Sequence, residues 1–161
     1  MGSFERIVRS DLTPSESFTS FVEEVGPRLK RALCVGFGIE SGVEATADAL
    51  AYGWEHWDRI ETMENPAGYL YQVGRSRARK RRTPRPDFPP LPVDSAPWVE
   101  PGLPSALGRL SEAQRQAVWL VDGYEWTLAE TAALLGVSVS SVRKHLERGN
   151  KKLRKALGVT S

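Results

Sequence analysis

Basic side chains fall into two patches along the sequence, and their chemistry is that of phosphate binding. One patch holds Arg75, Arg77, Arg79, Lys80, Arg81, Arg82 and Arg85. The other holds Arg143, Lys144, Arg148, Lys151, Lys152, Arg154 and Lys155. Guanidinium and ammonium groups bind phosphate oxygens, so the two patches indicate a polyanion that is contacted at two places.

The stretch from Glu40 to Glu64 carries the opposite charge. Its only base is Arg59, and its acids are Glu40, Glu44, Asp48, Glu55, Asp58, Glu61 and Glu64. An acidic segment beside basic patches sets up its own local field. It predicts a second partner with a basic surface.

Several function classes are disfavoured by what the sequence lacks. No carboxylate pair, phosphate-binding loop or nucleophile–base pair stands out, so we expect no enzyme activity. Cys34 is the only cysteine, and His56 and His145 lie far apart, so we expect no metal or other cofactor. The longest apolar stretch, residues 32–39, is too short to cross a bilayer. The first ten residues lack a secretory core, so we expect a cytoplasmic protein without membrane insertion.

A proline-rich segment divides the chain. Eight of the eleven prolines fall between Thr83 and Pro104, and each removes a backbone donor and disfavours helix before it. We predict an all-α protein with two small helical domains. The predicted parts are an N-terminal tail (1–17), a first domain (18–82), a linker (83–102) and a second domain (103–161).

Apolar spacings of three and four predict the helices of the first domain. The first covers residues 18–33, with a kink or break at Gly26-Pro27. The second runs from about residue 43 to 60, with Leu50, Trp54, Trp57 and Ile60 on its buried side. Asn65-Pro66 is a start signal for the third, which ends in the first basic patch.

Residues 127–146 have the pattern of a helix-turn-helix, a pair of helices that reads DNA. Thr127 and Ser138 are the predicted caps, Ser111 with Gln114 caps the helix before them, and Gly136 suits the left-handed turn. The side chains predicted to pack inward are Ala132, Val137, Val139, Val142, Leu146 and Leu153. The residues predicted to face DNA are Ser138, Ser140, Ser141, Arg143, Lys144, Glu147, Arg148 and Lys151.

With a helical domain and a linker ahead of this motif, the chain resembles the sigma-70 family of bacterial transcription initiation factors. The resemblance is to its small extracytoplasmic-function (ECF) group, and it covers roughly residues 18–82 and 103–157. The segment from Leu110 to Arg154 is similar to region 4, which in the family reads the −35 promoter element. Residues 49–60 and 65–78 are similar to region 2, which binds the polymerase clamp and melts the −10 element.

The resemblance implies the partners. They are core RNA polymerase, through its clamp coiled coil and flap, promoter DNA, and an anti-sigma factor that clamps the two domains together. The residues implied to contact polymerase are Glu44, Asp48, Ala51, Glu55 and Asp58. Ala47 stands where the family usually has glutamine, which predicts a weaker contact.

The resemblance also implies the residues that hold the separated strands of the −10 element. They are Glu61, Met63, Asn65, Tyr69, Tyr71, Arg75, Ser76, Arg79 and Lys80. The loop 61–65 corresponds to the family's pocket for a flipped-out base. Tyr69 and Tyr71 are suited to base stacking, and core packing is an equal alternative for both. Ser76 replaces a common asparagine, which predicts an unusual −10 preference.

Two functions stay open on the sequence alone. One is an ECF-type sigma factor that acts only with core polymerase in promoter-specific initiation. The alternative is a stand-alone helix-turn-helix regulator with a degenerate sigma-like N-terminal domain. The alternative is motivated by Ala47 and by Gly53, Gly68 and Gly74, which lower the helix propensity of that domain.

Overall fold

The structure, a computed structural model, describes residues 11–81, 86–89 and 102–158, and these contain helices and no strand. The N-terminal domain has four helices, α1 (Pro14–Phe37), α2 (Ile39–Glu55), α3 (Trp57–Ile60) and α4 (Pro66–Lys80). The C-terminal domain has α5 (Leu103–Gly108), α6 (Glu112–Ala117), a π-helical turn (Val118–Gly123), α7 (Leu128–Leu135) and α8 (Val139–Ala156). The all-α prediction is confirmed. The division into domains stays a prediction, and most of the proposed linker lies outside the described residues.

Helix α1 begins within the segment predicted to be a tail. The Thr13 side chain accepts a hydrogen bond from the Glu16 amide, and the Glu16 carboxylate accepts one from the Thr13 amide. This capping box starts the helix at Pro14, so residues 14–17 are not tail. Residues 1–10 of the predicted tail lie outside the described residues.

The predicted break at Gly26-Pro27 is absent, since α1 continues through Pro27 to Phe37. Proline removes one hydrogen bond of the helix ladder. Leu29 and Leu33, on the next two turns, are fully buried in the core. Their burial holds the helix together across the missing bond.

The predicted second helix is interrupted, which places its two tryptophans differently. Trp57 is 5% exposed, as predicted, but Trp54 is 51% exposed and the prediction of a buried Trp54 is wrong. Helix α2 ends at Glu55 and α3 starts at Trp57. Because the chain turns at His56, the two rings do not share one helix face. Both rings lie beside that of Phe18, with centroid distances of 5.3 Å for Trp54 and 5.2 Å for Trp57, but only Trp54 is exposed.

Helices α1 and α2 approach closely at Gly42. A Cβ atom there would lie 2.5 Å from the backbone nitrogen and Cα of Cys34. At Gly74 a Cβ would lie 2.7 Å from Cδ1 of Leu33, and at Gly53 it would lie 2.9 Å from a leucine of α4. Two of the glycines that lower helix propensity are therefore explained by close packing, which a larger residue would prevent.

The two domains pack against each other. Leu120, Trp126, Leu134 and Leu135 of the C-terminal domain join the hydrophobic cluster built on α1, α2 and α4. In return Val35, near the end of α1, lies in the cluster that forms the core of the C-terminal domain. Each of these two clusters thus contains residues from both domains.

We predict that Gly42→Ala lowers the free energy of unfolding by about 2 kcal/mol, because the added methyl group meets backbone atoms that cannot rotate away. Gly108→Ala is the control, since a Cβ there would find nothing closer than a Phe88 ring atom at 3.9 Å. Urea unfolding followed by circular dichroism measures both. Equal stabilities for the two variants would contradict this account of the helix crossing.

Candidate nucleic-acid interface

The helix-turn-helix has the geometry that its sequence predicts. Thr127 caps α7 in a capping box with Glu130. Gly136 ends α7 in the left-handed conformation, with φ 69° and ψ 34°. Ser138 then starts α8 by accepting a hydrogen bond from the Ser141 amide at 3.1 Å. Each helix start is stabilised by a side chain, so the turn between the two helices is set locally.

The contact between the two helices is smaller than predicted. Ala132 and Val142 are buried and pack with Ala117. Val137 is 44% exposed and Val139 is 39% exposed, so the prediction that they pack inward is wrong. Val137 lies in the turn and Val139 is the first residue of α8, so both precede the place where the helices overlap.

Helix α8 has one face in the core and the other in solvent. Val142, Gly149 and Leu153 are buried, and a Cβ at Gly149 would lie 2.7 Å from Val118 Cγ2. Of the residues predicted to face DNA, Ser141 is partly buried and the others are exposed, namely Ser138, Ser140, Arg143, Lys144, Glu147, Arg148 and Lys151. The exposed face has four bases and one acid at the residues predicted to contact DNA, so it can bind phosphates and base edges.

The residues of the first basic patch on helix α4 differ in whether they form ion pairs. Ser76, Arg77 and Lys80 are exposed. Arg75 donates from Nε to the Glu112 carboxylate of α6 at 2.8 Å, and Arg79 lies 3.6 Å from the same carboxylate. Arg82 and Arg85 lie outside the described residues.

The two tyrosines proposed for base stacking differ in burial. Tyr71 is only 2% exposed, and its hydroxyl accepts a hydrogen bond from Gln116 Nε2 at 2.7 Å. Burial raises the pKa of Tyr71 far above its usual value. In this structure Tyr71 is a core residue, so of the two open roles core packing is the one observed. Tyr69 is partly buried at the surface.

Tyr69 belongs to a cluster that sequence reasoning missed. Arg59 Nη2 donates to the hydroxyls of Tyr52 at 3.1 Å and Tyr69 at 3.4 Å. The hydrogen bonds from Tyr52 and then Arg59 lower the pKa of Tyr69. The His56 ring stacks on Tyr52 with centroids 4.2 Å apart. These residues come from α2, α3 and α4, and only the fold brings them together.

A cavity of about 730 Å³ lies beside the loop 61–65. Its apolar walls include Phe21, Trp57 and Met63. Trp57 Nε1 donates to Ser17 Oγ at 3.2 Å, and Ser17 Oγ donates to Glu61 Oε2. Aromatic walls with one oriented carboxylate suit a flat ring that carries hydrogen-bond donors.

The loop ends in Asn65, which also touches the C-terminal domain. Its side-chain oxygen accepts the Gly68 amide at 3.0 Å and so caps α4, as predicted. Its Nδ2 donates to the Ala133 carbonyl of α7 at 2.7 Å. Both the oxygen and the nitrogen of the exposed Asn65 side chain are thus hydrogen-bonded within the protein.

The acidic residues proposed for polymerase form one surface. Glu44, Ala51, Glu55 and Asp58 are exposed, and Asp48 is partly buried. Arg81, at the end of α4, pairs with Glu44 at 2.9 Å and Asp48 at 3.1 Å. Glu55 and Asp58 take no part in the described salt bridges, and Trp54, which precedes Glu55 in the sequence, is exposed. The surface combines negative charge with one large apolar ring.

Among the residues that the structure describes, no group of acids, histidines and cysteines is arranged to hold a metal ion. Cys34 is buried, and this burial raises the pKa of its thiol. In the described ranges, no helix has the length and apolar character needed to traverse a bilayer.

Comparison with known proteins identifies the C-terminal domain. Residues 103–153 match the family model for region 4 of sigma-70. No curated protein sequence matches the chain.

Two solved structures share the fold. One is the sigma factor RpoE in complex with the anti-sigma factor NepR from Bartonella quintana, with 20% identity, 89% of this chain and 98% of that chain covered, and a TM-score of 0.63. The other is CnrH in complex with the cytosolic domain of CnrY, with 21% identity, 95% and 94% covered, and a TM-score of 0.59.

Residues 103–153 therefore form a sigma-70 region 4 domain, and the chain has the fold of an ECF sigma factor. The sequence-based prediction of a region 4 helix-turn-helix in the C-terminal half is confirmed by this match.

We predict that Ser138→Ala lowers the free energy of unfolding by about 1 kcal/mol, because the α8 start loses its capping oxygen. Ser140→Ala is the matched control, since its hydroxyl contacts only that of Ser138 among the described hydrogen bonds. Thermal unfolding of both variants provides the measurement. An unchanged Ser138→Ala protein would show that the cap does not hold this helix.

Proposed function

We propose that the chain is an ECF-type sigma factor that binds core RNA polymerase and directs it to promoters by recognising −10 and −35 elements. The observation that carries the proposal is a region 4 helix-turn-helix with an exposed basic face in a chain that also has a sigma-factor fold. The direct experiment is run-off transcription by core polymerase with and without the purified chain. Absence of polymerase binding at physiological salt would contradict it.

The acidic surface is the proposed contact for the clamp coiled coil of polymerase. Glu55 and Asp58 are exposed and lie outside the ion pairs that Arg81 makes with Glu44 and Asp48. A basic partner would meet these carboxylates first and compete with Arg81 for the other two. Ala51 leaves room on the same face for a partner side chain. The flap of polymerase is the proposed partner of the C-terminal domain.

We predict that Glu55→Lys and Asp58→Lys each weaken binding to core polymerase about 10-fold, because each replaces attraction by repulsion at the basic surface. Glu23→Lys, on an exposed position of α1, makes the same change in net charge and is the control. Surface plasmon resonance with immobilised core enzyme gives the affinities. If all three reversals have equal effects, then the binding surface lies elsewhere.

The recognition helix α8 is the proposed reader of the −35 element. Ser138, Ser140, Arg143 and Lys144 lie near its N-terminal end, the part that enters a major groove. Arg148 and Lys151 follow on the same exposed face and suit phosphate contacts. The amide of Ser141 is used by the cap of α8, so its proposed contact is through the hydroxyl.

We predict that Arg143→Ala and Lys144→Ala each reduce promoter binding by the polymerase complex about 10-fold, the size of one lost base or phosphate contact. Lys155→Ala, exposed near the other end of α8, is the control and changes binding at most about threefold. Electrophoretic mobility shift with the assembled complex measures the series. A larger loss of promoter binding for Lys155→Ala than for the other two variants would place the DNA contact at the C-terminal end of α8 and contradict the prediction.

The cavity beside the loop 61–65 is the proposed pocket for a flipped-out base of the −10 element. Its aromatic walls can stack on the base, and Glu61 can accept hydrogen bonds from an exocyclic amine. Met63 forms part of the wall. Tyr69, Ser76 and Lys80 on α4 are the proposed contacts for the unpaired strand beyond the pocket.

One observation favours the alternative of a stand-alone regulator. The recognition helix is exposed even though the two domains are packed together. A stand-alone regulator binds duplex DNA without polymerase, with a steep salt dependence. Fluorescence anisotropy of the free chain with a promoter duplex distinguishes the two functions.

An anti-sigma factor is the further partner that we propose, because both structural neighbours were solved with a bound partner chain. We place the protein in the cytoplasm, where core polymerase acts. Co-purification of the chain from its own cells identifies such a partner. If the chain is recovered with core polymerase alone under conditions in which it directs no transcription, then the proposal of an anti-sigma partner is contradicted.

A further inference from the structure

Arg59 forms no salt bridge among the described residues, although it is the only lysine or arginine in the acidic stretch 40–64. Its side chain is exposed, and its Nη2 donates to two neutral hydroxyls, those of Tyr52 at 3.1 Å and Tyr69 at 3.4 Å. Neutral acceptors hold a guanidinium in place without cancelling its charge. The positive charge of Arg59 is therefore available to a partner outside the protein.

The three side chains present hydrogen-bond donors to solvent. The hydroxyls of Tyr52 and Tyr69 lie 3.3 Å apart, so one of them donates to the other. The proton of the second hydroxyl has no acceptor among the described hydrogen bonds. Arg59 uses Nη2 for both tyrosines, which leaves its Nε and Nη1 donors to a ligand. Several donors around one positive charge form an anion site.

The ionisation of Tyr69 shows the sign of the local field. The hydrogen bonds from Tyr52 and then Arg59 lower the pKa of Tyr69. A hydroxyl whose pKa is lowered lies where negative charge is stabilised. The surroundings of this hydroxyl thus favour an anion, even though the exposed acids Glu55 and Asp58 lie nearby in the sequence.

The site is ordered before a ligand arrives. The His56 ring stacks on the ring of Tyr52 with centroids 4.2 Å apart, and its Nδ1 lies 3.0 Å from the Tyr52 carbonyl oxygen. Tyr52 is thus held by its ring, and its hydroxyl in turn holds Arg59. A guanidinium that is already oriented loses less side-chain freedom when it binds an anion.

The position of Tyr69 on α4 indicates which anion the site binds. Tyr69, Ser76 and Lys80 follow one another at spacings of seven and four residues, which places them on one face of the helix over about 16 Å. Ser76 and Lys80 are exposed and suit phosphate contacts. A strand that follows this face reaches Arg59 at the N-terminal end of α4. The cavity proposed for the flipped-out base borders the same end, since Pro66 lines it.

We infer that Arg59, held by the hydroxyls of Tyr52 and Tyr69, binds a backbone phosphate of the unpaired promoter strand. That the strand comes from a promoter rests on the proposed function, whereas the anion site itself does not. Arg59 binds the phosphate through its charge. Tyr52 is a positioning residue that acts through Arg59.

Three variants separate the charge of the site from its geometry. Arg59→Gln removes the charge at an exposed position, and Arg59→Lys keeps the charge without the planar fork. Tyr52→Phe keeps the ring that stacks on His56 and removes only the hydroxyl. Arg109→Gln is the matched control, since it removes an exposed arginine outside both basic patches. Circular dichroism checks that all four variants keep their helix content.

Fluorescence anisotropy of the full chain with a single-stranded DNA of mixed sequence, over a range of salt concentrations, gives the readout. We expect Arg59→Gln to bind about fivefold more weakly and to lower the slope of log affinity against log salt by about 0.7, the effect of one phosphate contact on a single strand. Arg59→Lys and Tyr52→Phe bind about twofold more weakly with an unchanged slope, because both keep the charge. Wild-type affinity and slope for Arg59→Gln, an equal loss for Arg109→Gln, or a wild-type chain that binds no single strand at low salt overturns the inference.

Two further arms identify the source of the phosphate. With a duplex of the same sequence we expect Arg59→Gln to change binding by less than about twofold, because α8 is the proposed duplex contact. An equal loss on duplex and single strand would reduce Arg59 to a general charge effect and overturn the inference. Displacement of the strand by millimolar inorganic phosphate, at an ionic strength held constant with chloride, would assign the site to free phosphate and overturn the DNA assignment.

Run-off transcription with core polymerase distinguishes this inference from the proposed function. If Arg59→Gln loses single-strand binding and the wild-type chain supports no transcription, then the proposed function fails and the anion site stands. If the wild-type chain directs initiation and Arg59→Gln binds single strands as the wild type does, then the inference fails and the proposed function stands.

Discussion

A buried guanidinium at the end of a helix holds the two halves of this molecule together. Arg115 satisfies carbonyls that the last turn of α1 leaves free, and α1 in turn gives Arg115 the acceptors that a buried cation requires. Burial lowers the pKa of Arg115 to about 10, against the opposing effect of Glu112. Each domain therefore completes the polar contacts of the other, and the two apolar clusters that contain Leu120 and Val35 each draw residues from both domains.

Some charged residues form ion pairs within the protein, and others remain exposed to solvent. Glu112 neutralises part of the α4 patch, and Arg81 neutralises part of the acidic surface on α2. The recognition helix keeps its basic face free of such pairing among the described salt bridges. Helix α8 thus presents its basic face to solvent, whereas Arg75 and Arg79 of α4 are paired with Glu112. Partly exposed ion pairs such as Arg75–Glu112 contribute little to the packing of the two domains. The buried Arg115 contact therefore contributes most of the polar stabilisation.

Local features of the fold could be predicted from the sequence, because caps and turns depend on neighbouring residues. Ser111, Thr127, Ser138, Asn65 and Gly136 all act where their sequence positions indicate. The exposure of Trp54 could not be predicted, because the helix ends at Glu55 and a new one starts at Trp57, so the two tryptophans do not lie on one helix.

Contacts between residues that are far apart in the sequence could not be predicted either. Ser17 was placed in a tail, yet it bonds to Trp57 and Glu61 at the cavity, and Arg59 joins Tyr52 and Tyr69 across three helices. The sequence of α6 contains one indication of such contacts. Gln114, Arg115 and Gln116 are consecutive residues that cover most of a helix circumference, and all are buried. Polar residues on every side of a short helix between apolar runs indicate a helix enclosed by partners, which here come from both α1 and α8.

The central claim is that one chain holds polymerase and contacts promoter DNA at two separated places. Sequencing the 5′ ends of transcripts made by core polymerase with this protein on genomic DNA tests it most directly. The account predicts a small set of new start sites that share two conserved elements at a constant spacing and that disappear when the protein is omitted. Start sites identical to those of core polymerase alone would contradict it.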